Sequence, residues 1–391
     1  MENFPWAPHK TKIPANILCI DQFSNFGGGQ RSLLDLLPAF SERGWNASVA
    51  IPGDGPFSAM IRHCGYRTHS FVCGAYVSRK KPLSQMLKYA FELPNLVDSF
   101  ADLVERHKIN LLYVNGPRLV PPLAWLAWRK RIPLVFHCHN RPMQSAAIAL
   151  TGQALELASA HVIACCQYVA DPLRDYVEPH RLRVLYNGVP EMGGGPRPLN
   201  EIRKIGVVGR VEAEKGQLEF VQAAKLVSQQ FPGCRFLIAG SPMFSDKSYY
   251  GKVVAASNGL PIDFVEWQEE VSKIYSELDL LVVPSSAVEA TTRVIPEAFS
   301  AGVPVLAFSA GGIPEVLEDE KTGFVAAGNS VRALSERILS VLRMERTVLE
   351  SITKRARTEW DRRFTLRTYR NSVCEVIEEA IRPYSPANLS C

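Results

Sequence analysis

Two doubly wound α/β domains are predicted for this chain, on three observations. At 391 residues it is too long for one ordinary hydrophobic core and suits two domains of about 150 to 200 residues each. Apolar runs of four or five residues alternate with segments of helical period, the pattern of parallel strands buried on both faces and joined by crossover helices. Pro190-Glu-Met-Gly-Gly-Gly-Pro-Arg-Pro198 combines glycines and prolines that neither helix nor strand tolerates, so it reads as the linker.

The first half supplies strand-like runs at Ile17-Leu-Cys-Ile20, Ala47-Ser-Val-Ala-Ile51, Leu111-Leu-Tyr-Val114, Leu134-Val-Phe136, Val162-Ile-Ala164 and Arg183-Val-Leu-Tyr186. A helix is expected where Leu96, Val97, Phe100, Leu103 and Val104 share one stripe. Another opens at Gly27-Gly-Gly-Gln-Arg-Ser32, and Pro38 inside it predicts a kink or an early end. After the linker the runs restart at Ile205-Gly-Val-Val208, Phe236-Leu-Ile-Ala239, Asp263-Phe-Val265, Leu280-Leu-Val-Val283 and Val305-Leu-Ala307. The expected domains are therefore residues 1–190 and 199–364, with a final helix at about 365–391 packing back on the first. Periodicity alone equally allows a dehydrogenase or a periplasmic-type binding protein.

Composition narrows the function classes. Nearly half of the residues are hydrophobic and there are no low-complexity tracts, as in a folded protein. Residues 1–190 hold 20 Lys+Arg against 13 Asp+Glu and the rest 24 against 26, balances of +7 and −2. That mild asymmetry fits an anionic membrane surface or an acidic acceptor better than duplex DNA, so no nucleic-acid partner is expected. The nine cysteines form no C-x-x-C pair and several sit in apparent strands, which suits reduced core residues. The N-terminus has no basic stretch followed by an apolar one, which argues against the periplasmic reading and predicts cytoplasmic residence.

Four constellations carry chemistry. Glu289 and Glu297 flank the exit of one strand and the start of a helix, where open α/β sheets place their ligands and where two carboxylates can grip a polyol. In Gly206-Val-Val-Gly-Arg-Val-Glu-Ala-Glu-Lys-Gly216, Arg210 and Lys215 stand in the loop that opens the next helix, where cations can neutralise a diphosphate as it leaves. This is neither a Walker A sequence nor a dinucleotide fingerprint. Gly27, Gly28 and Gly29 open a helix where backbone N–H groups can approach an anion. His139 in Val135-Phe-His-Cys-His-Asn140 lies at the end of another strand, and whether His137 shares its side depends on how far the strand runs. There is no D-x-D triplet and no His/Cys cluster with metal-ligand spacing, so no metal and no resident cofactor are expected.

These motifs resemble the retaining GT-B glycosyltransferases, family 4 in particular, over nearly the whole chain. Glu289 and Glu297, with the downstream Ala301-Gly-Val-Pro-Val305, resemble the family's E-x7-E segment, whose first Glu contacts donor-sugar hydroxyls and whose second holds the nucleotide ribose. Arg210 and Lys215 match the family's diphosphate-binding pair, and His139 matches a histidine beside the donor sugar. Asn187-Gly-Val189, Gly240-Ser-Pro242 and Val265-Glu-Trp267 match further loops, Trp267 falling near the base. Two departures stand out: Gln30 replaces the usual Glu of Gly-Gly-x-Glu-Arg, and Thr291 and Thr292 replace a Phe-Gly pair whose backbone N–H groups meet the donor. Arg293 beside them is either a surface charge or an extra phosphate contact.

The resemblance implies two Rossmann-like domains facing a cleft, the first for the acceptor and the second for a UDP- or GDP-sugar. It implies metal-independent transfer of a hexose to an acceptor hydroxyl with retention, in cell-surface polysaccharide or glycolipid synthesis. The alternatives are another GT-B enzyme, such as a nucleotide-sugar epimerase, or a catalytically silent sugar-nucleotide-binding subunit. Arg79-Lys-Lys81 and Lys88 flank Met86, Leu87, Ala90, Phe91 and Leu93, a segment that can lie on anionic lipid at the inner face of the plasma membrane and serve a saccharide or lipid-linked acceptor.

Overall fold

The computed structural model describes residues 14–73, 83–193, 202–242, 247–266, 268, 270–285 and 289–384. These divide into two compact units. The first comprises residues up to Ile163, Pro172–Arg183 and the chain from Arg370 onward; the second comprises Ala164–Asp171 and Val184–Tyr369. The division therefore departs from a single cut at residue 190. It falls ahead of the Gly/Pro stretch, and the terminal helix Leu366–Ile381 joins the first unit only from Arg370.

The first unit is built on strands β1 (Asn16–Ile20), β2 (Asn46–Pro52), β3 (Arg67–Phe71), β4 (Leu111–Val114), β5 (Leu134–Cys138), β6 (His161–Ala164) and β7 (Leu182–Val184). They are ordered β3-β2-β1-β4-β5-β6-β7. The pairs from β3 through β5 are parallel, with Leu18 of β1 set between Ser48 and Leu112. Residues 17–20 and 111–114 are buried, as expected of central strands covered on both faces. The edge strand β3, Arg-Thr-His-Ser-Phe, buries only Phe71, which is why no apolar run marks it in the sequence. The terminal helix is tied to this unit by bonds that include Arg370 Nε donating to Asp35 O at 2.6 Å, Arg43 meeting Glu378 and Asn371 at 3.4 Å, and Arg183 meeting Glu379 at 3.3 Å.

The helix Gly28–Glu42 runs through Pro38, so it does not end early there. Leu36, Leu37, Ala39 and Phe40 are buried on either side of the half-buried proline. Their packing outweighs the one helical hydrogen bond that proline removes.

The second unit repeats the plan with β8 (Lys204–Val208), β9 (Arg235–Ala239), β10 (Ile262–Val265), β11 (Leu280–Val283), β12 (Val305–Ala307) and β13 (Phe324–Val325), ordered β10-β9-β8-β11-β12-β13. Its core joins β8, β9, β11 and β12 to Phe220, Val221 and Ala224 of one helix and Ile295, Ala298 and Phe299 of another. In each unit the order reverses at one place, between β1 and β4 or between β8 and β11, and that crevice is where such sheets take ligands.

No disulfide joins the cysteines of the described residues. Cys19, Cys138, Cys165, Cys166, Cys234 and Cys374 are core residues, while Cys64 is exposed and Cys73 half-buried. No helix of the described residues is long and apolar enough to cross a membrane.

Candidate functional site

In the second unit the loops leaving β8 and β11 meet at the switch point. Gly216 makes that meeting possible. Its φ is +69°, and a Cβ there would stand 2.0 Å from the carbonyl oxygen of Pro284, so conformation and space both exclude a side chain. The one-turn helix Ala213–Lys215 lies against the exit of β11 as a result, and Lys215 Nζ reaches Glu289 Oε2 at 2.5 Å. Both side chains are largely covered, 22% and 13% exposed. The fully buried Gln217 braces the loop, donating to the carbonyl of Arg210 at 2.7 Å and accepting from Glu212 N at 3.3 Å. The Arg210 guanidinium rests on Glu212 at 2.9 Å. Two residues seventy-four apart in sequence thus form one charge-assisted hydrogen bond.

The turn that carries Glu289 is pinned by Gly312, whose N–H donates to the carbonyls of Glu289 (3.1 Å) and Ala290 (2.9 Å). Thr291 Oγ1 donates to Cys165 O at 3.3 Å, and Thr292 is buried. The non-glycine residues with positive φ among the described ones are Lys108, Arg131, Ser159 and Glu320. The two threonines therefore sit in ordinary backbone conformations, and the turn does not demand a glycine at either place.

Glu297 lies in the first turn of the helix Val294–Ala301 and is buried. Tyr275 donates to its Oε2 at 2.9 Å, and Arg293 Nε stands 3.5 Å from its Oε1. Arg293 is not a surface charge: its side chain is covered, and Nη1 donates to Gly188 O at 3.1 Å. Burial, and then the Glu297 carboxylate, push the Tyr275 hydroxyl well above its usual pKa, so it stays a donor. Sequence reading missed Tyr275 because an aromatic residue in a short apolar helix reads as core.

The equivalent crevice of the first unit holds a different set. Asp21 follows β1 directly and Asn115 follows β4 directly, and both are buried. Asp21 Oδ1 accepts from Phe23 N (2.8 Å) and Gln30 Nε2 (2.9 Å), while Oδ2 accepts from Asn115 Nδ2 (2.6 Å) and Gln30 Nε2 (3.0 Å). Asn115 Nδ2 also donates to Gly29 O at 3.2 Å, and Asn115 Oδ1 stands 2.8 Å from His139 Nε2. Burial raises Asp21 to about 6, against the opposing pull of these hydrogen bonds. The Gln30 substitution fits this environment, because a glutamate there would bring a second carboxylate against Asp21.

His137 and His139 share one side, as regular strand alternation requires, with ring centroids 4.0 Å apart. His137 Nδ1 is 2.6 Å from the Tyr113 hydroxyl. Burial, then the neighbouring His139, hold His137 well below the ordinary histidine pKa. Gly28 and Gly29 begin the helix, and a Cβ on Gly29 would stand 3.0 Å from His139 Cδ2. Gly27 caps that helix in extended conformation, with Gln30 Oε1 only 2.7 Å from where its Cβ would be. The glycine run therefore makes room for side chains, beyond any role for its N–H groups. Sequence reading missed Asp21 and Asn115; the signal that could have found them is their place immediately after apolar runs.

Trp267, Ser286–Val288 and the basic triplet Arg79-Lys-Lys81 lie outside the described residues. Lys88 lies on the helix Leu83–Arg106, and further along it Phe91 is 83% exposed.

The family model described as Glycosyl transferases group 1 matches residues 198–359, and that described as Glycosyltransferase Family 4 matches residues 26–191. Spore coat protein SA of Bacillus subtilis is 23% identical over 57% of this chain and 66% of its own length. Sulfoquinovosyl transferase SQD2 of Arabidopsis thaliana is 31% identical over 46% of this chain and 32% of its own. The chain thus matches between about a third and two thirds of these relatives' lengths. Among solved structures, Anabaena HepE in complex with UDP superimposes with a TM-score of 0.76 and 22% identity, covering 93% of this chain and 100% of that one. That likeness establishes the fold class, GT-B.

Proposed function

Because this chain belongs to the group 1 glycosyl transferases, we propose that it moves a hexose from a UDP- or GDP-sugar to an acceptor hydroxyl, with retention and without a metal ion. The observation that carries this reading is the Lys215–Glu289 pair at the switch point of the second unit, with Arg210 in the same loop. Lys215 and Arg210 can exchange their carboxylate partners for the donor diphosphate, where fixed positive charge stabilises the leaving group as its bond to the sugar breaks. Glu289, released from Lys215, then accepts hydrogen bonds from sugar hydroxyls. Glu297, held by Tyr275 and Arg293, serves the ribose hydroxyls. The turn at Thr291 and Thr292 supplies backbone donors, and His139 takes the role of the family's histidine. A donor phosphate oxygen takes the acceptor proton on the face that the nucleotide leaves, so no protein nucleophile is required.

HepE, the structural neighbour solved with UDP and with UDP-glucose, favours uridine over guanosine for the first trial. The exposed Phe91 on the helix Leu83–Arg106 supports a lipid-linked or surface-polysaccharide acceptor met at an anionic membrane. The test is nucleotide release from a panel of UDP- and GDP-sugars, with and without excess EDTA. Turnover that survives chelation is expected. Release of neither UDP nor GDP with any donor would reject the assignment, and activity restored only by added divalent metal would reject metal independence.

A further inference from the structure

We propose that Asp21 and Asn115 are positioning residues that hold the His139 imidazole in one orientation with its proton on Nε2, the form in which it serves the reaction assigned above, on which this rests. Hydrogen-bond direction fixes the ring. Both neighbours of Asn115 Nδ2, the Asp21 carboxylate at 2.6 Å and the Gly29 carbonyl at 3.2 Å, are acceptors. The amide nitrogen therefore belongs on that side, and the amide oxygen faces His139. An oxygen 2.8 Å from Nε2 requires a proton on that nitrogen. Asp21 in turn is fixed from the other side by Gln30 Nε2, which bonds to both of its oxygens, and by the Phe23 N–H. Each member has one orientation that satisfies its neighbour, so the order runs from the β1 exit through the β4 exit to the imidazole.

Sterics hold the same ring. Gly29 leaves space where any larger residue would press on Cδ2 at 3.0 Å, and His137 lies against it with centroids 4.0 Å apart. His137 stands 2.6 Å from the Tyr113 hydroxyl, so the ring that packs on His139 is itself held from the neighbouring strand. Supporting partners of this kind decide which nitrogen of a histidine carries the proton.

The experiment reads the tautomer directly, in substrate-free protein carrying ¹⁵N-labelled histidine, by two-bond proton–nitrogen correlation near pH 7.5, with His139→Gln identifying the signal. Wild type is expected to show the Nε2–H form alone. Asn115→Leu, which removes the acceptor at similar volume, is expected to give a mixture of tautomers and to lower kcat roughly 10- to 100-fold with UDP affinity unchanged. An Nδ1–H form or a mixture in wild type overturns the proposal without any variant. So does an Asn115→Leu protein that keeps a pure Nε2–H signal. Asp21→Asn gives a second route to the same mixture should Asn115→Leu fail to fold. Because the tautomer is read without donor, a fixed Nε2–H form in a protein that turns over no nucleotide sugar would reject the reaction and leave the tautomer assignment standing. An active transferase with mixed tautomers would do the reverse.

Discussion

The two units share a strand order and a switch point and differ in what they place there. In the first, Asp21, Gln30 and Asn115 saturate one another in a buried set. In the second, Lys215, Arg210 and their glutamate partners remain partly open to solvent. The same backbone crevice thus serves two physical ends. Hydrogen bonds among buried groups have one good arrangement, because an unsatisfied partner costs about 1–3 kcal/mol. Ion pairs at a rim are worth about 1 kcal/mol or less, so a ligand with matching charge can replace either partner. The first crevice orients, and the second exchanges.

The largest test of that contrast is Lys215→Ala. Removing one cation from a developing diphosphate should lower turnover about 10²- to 10³-fold while leaving the unfolding temperature near that of wild type. A variant that keeps wild-type turnover with the same donor would detach Lys215 from the chemistry.

Asp21 supplies the next. Its folded pKa of about 6 lies above the ordinary 3.8, so the folded state binds more protons than the unfolded state between those values. Its contribution to stability therefore falls as pH rises from 4 to 6 and stays low above, by about 3 kcal/mol in all. Asp21→Asn removes the titration. The stability of the variant relative to wild type, from denaturant unfolding at pH 4.5 and pH 7.5, should rise by a substantial part of that amount. Parallel pH profiles for the two proteins would show that Asp21 does not titrate in this range.

The smallest effect is expected for Glu289→Gln. With no carboxylate competing for Lys215, UDP should bind about 2- to 5-fold more tightly, the equivalent of an ion pair worth 1 kcal/mol or less, while sugar transfer falls. Calorimetric titration with UDP reads this, and weaker binding would mean that the pair does not compete with the nucleotide.

Legibility follows the same division. Lys215 and Glu289 were readable because each sits in a local pattern: a glycine-bounded loop after one strand, and a strand exit before a helix. Arg293 was legible as a charge but not as a buried one, since its partners are the carboxylate four residues on and a carbonyl 105 residues away. Strands β3 and β13 escaped notice for a related reason. One is an edge strand with a single buried side chain, and the other is two residues long, so neither produces a run.

By itself the sequence determined the doubly wound class, the position of the central strands, the strand-exit segments that hold Arg210, Lys215 and Glu289, and the helix start that holds Glu297. Each of these depends on neighbours within a few residues or on burial of a continuous apolar run. Only the tertiary structure decided that Gly216 closes on Pro284, that Tyr275 and Arg293 take the two oxygens of Glu297, and that Asp21, Gln30, Asn115 and His139 form one ordered set. The physical reason is distance along the chain. A hydrogen bond has a length and a direction that no local pattern encodes, and the groups that satisfy one another here come from strand ends up to 94 residues apart.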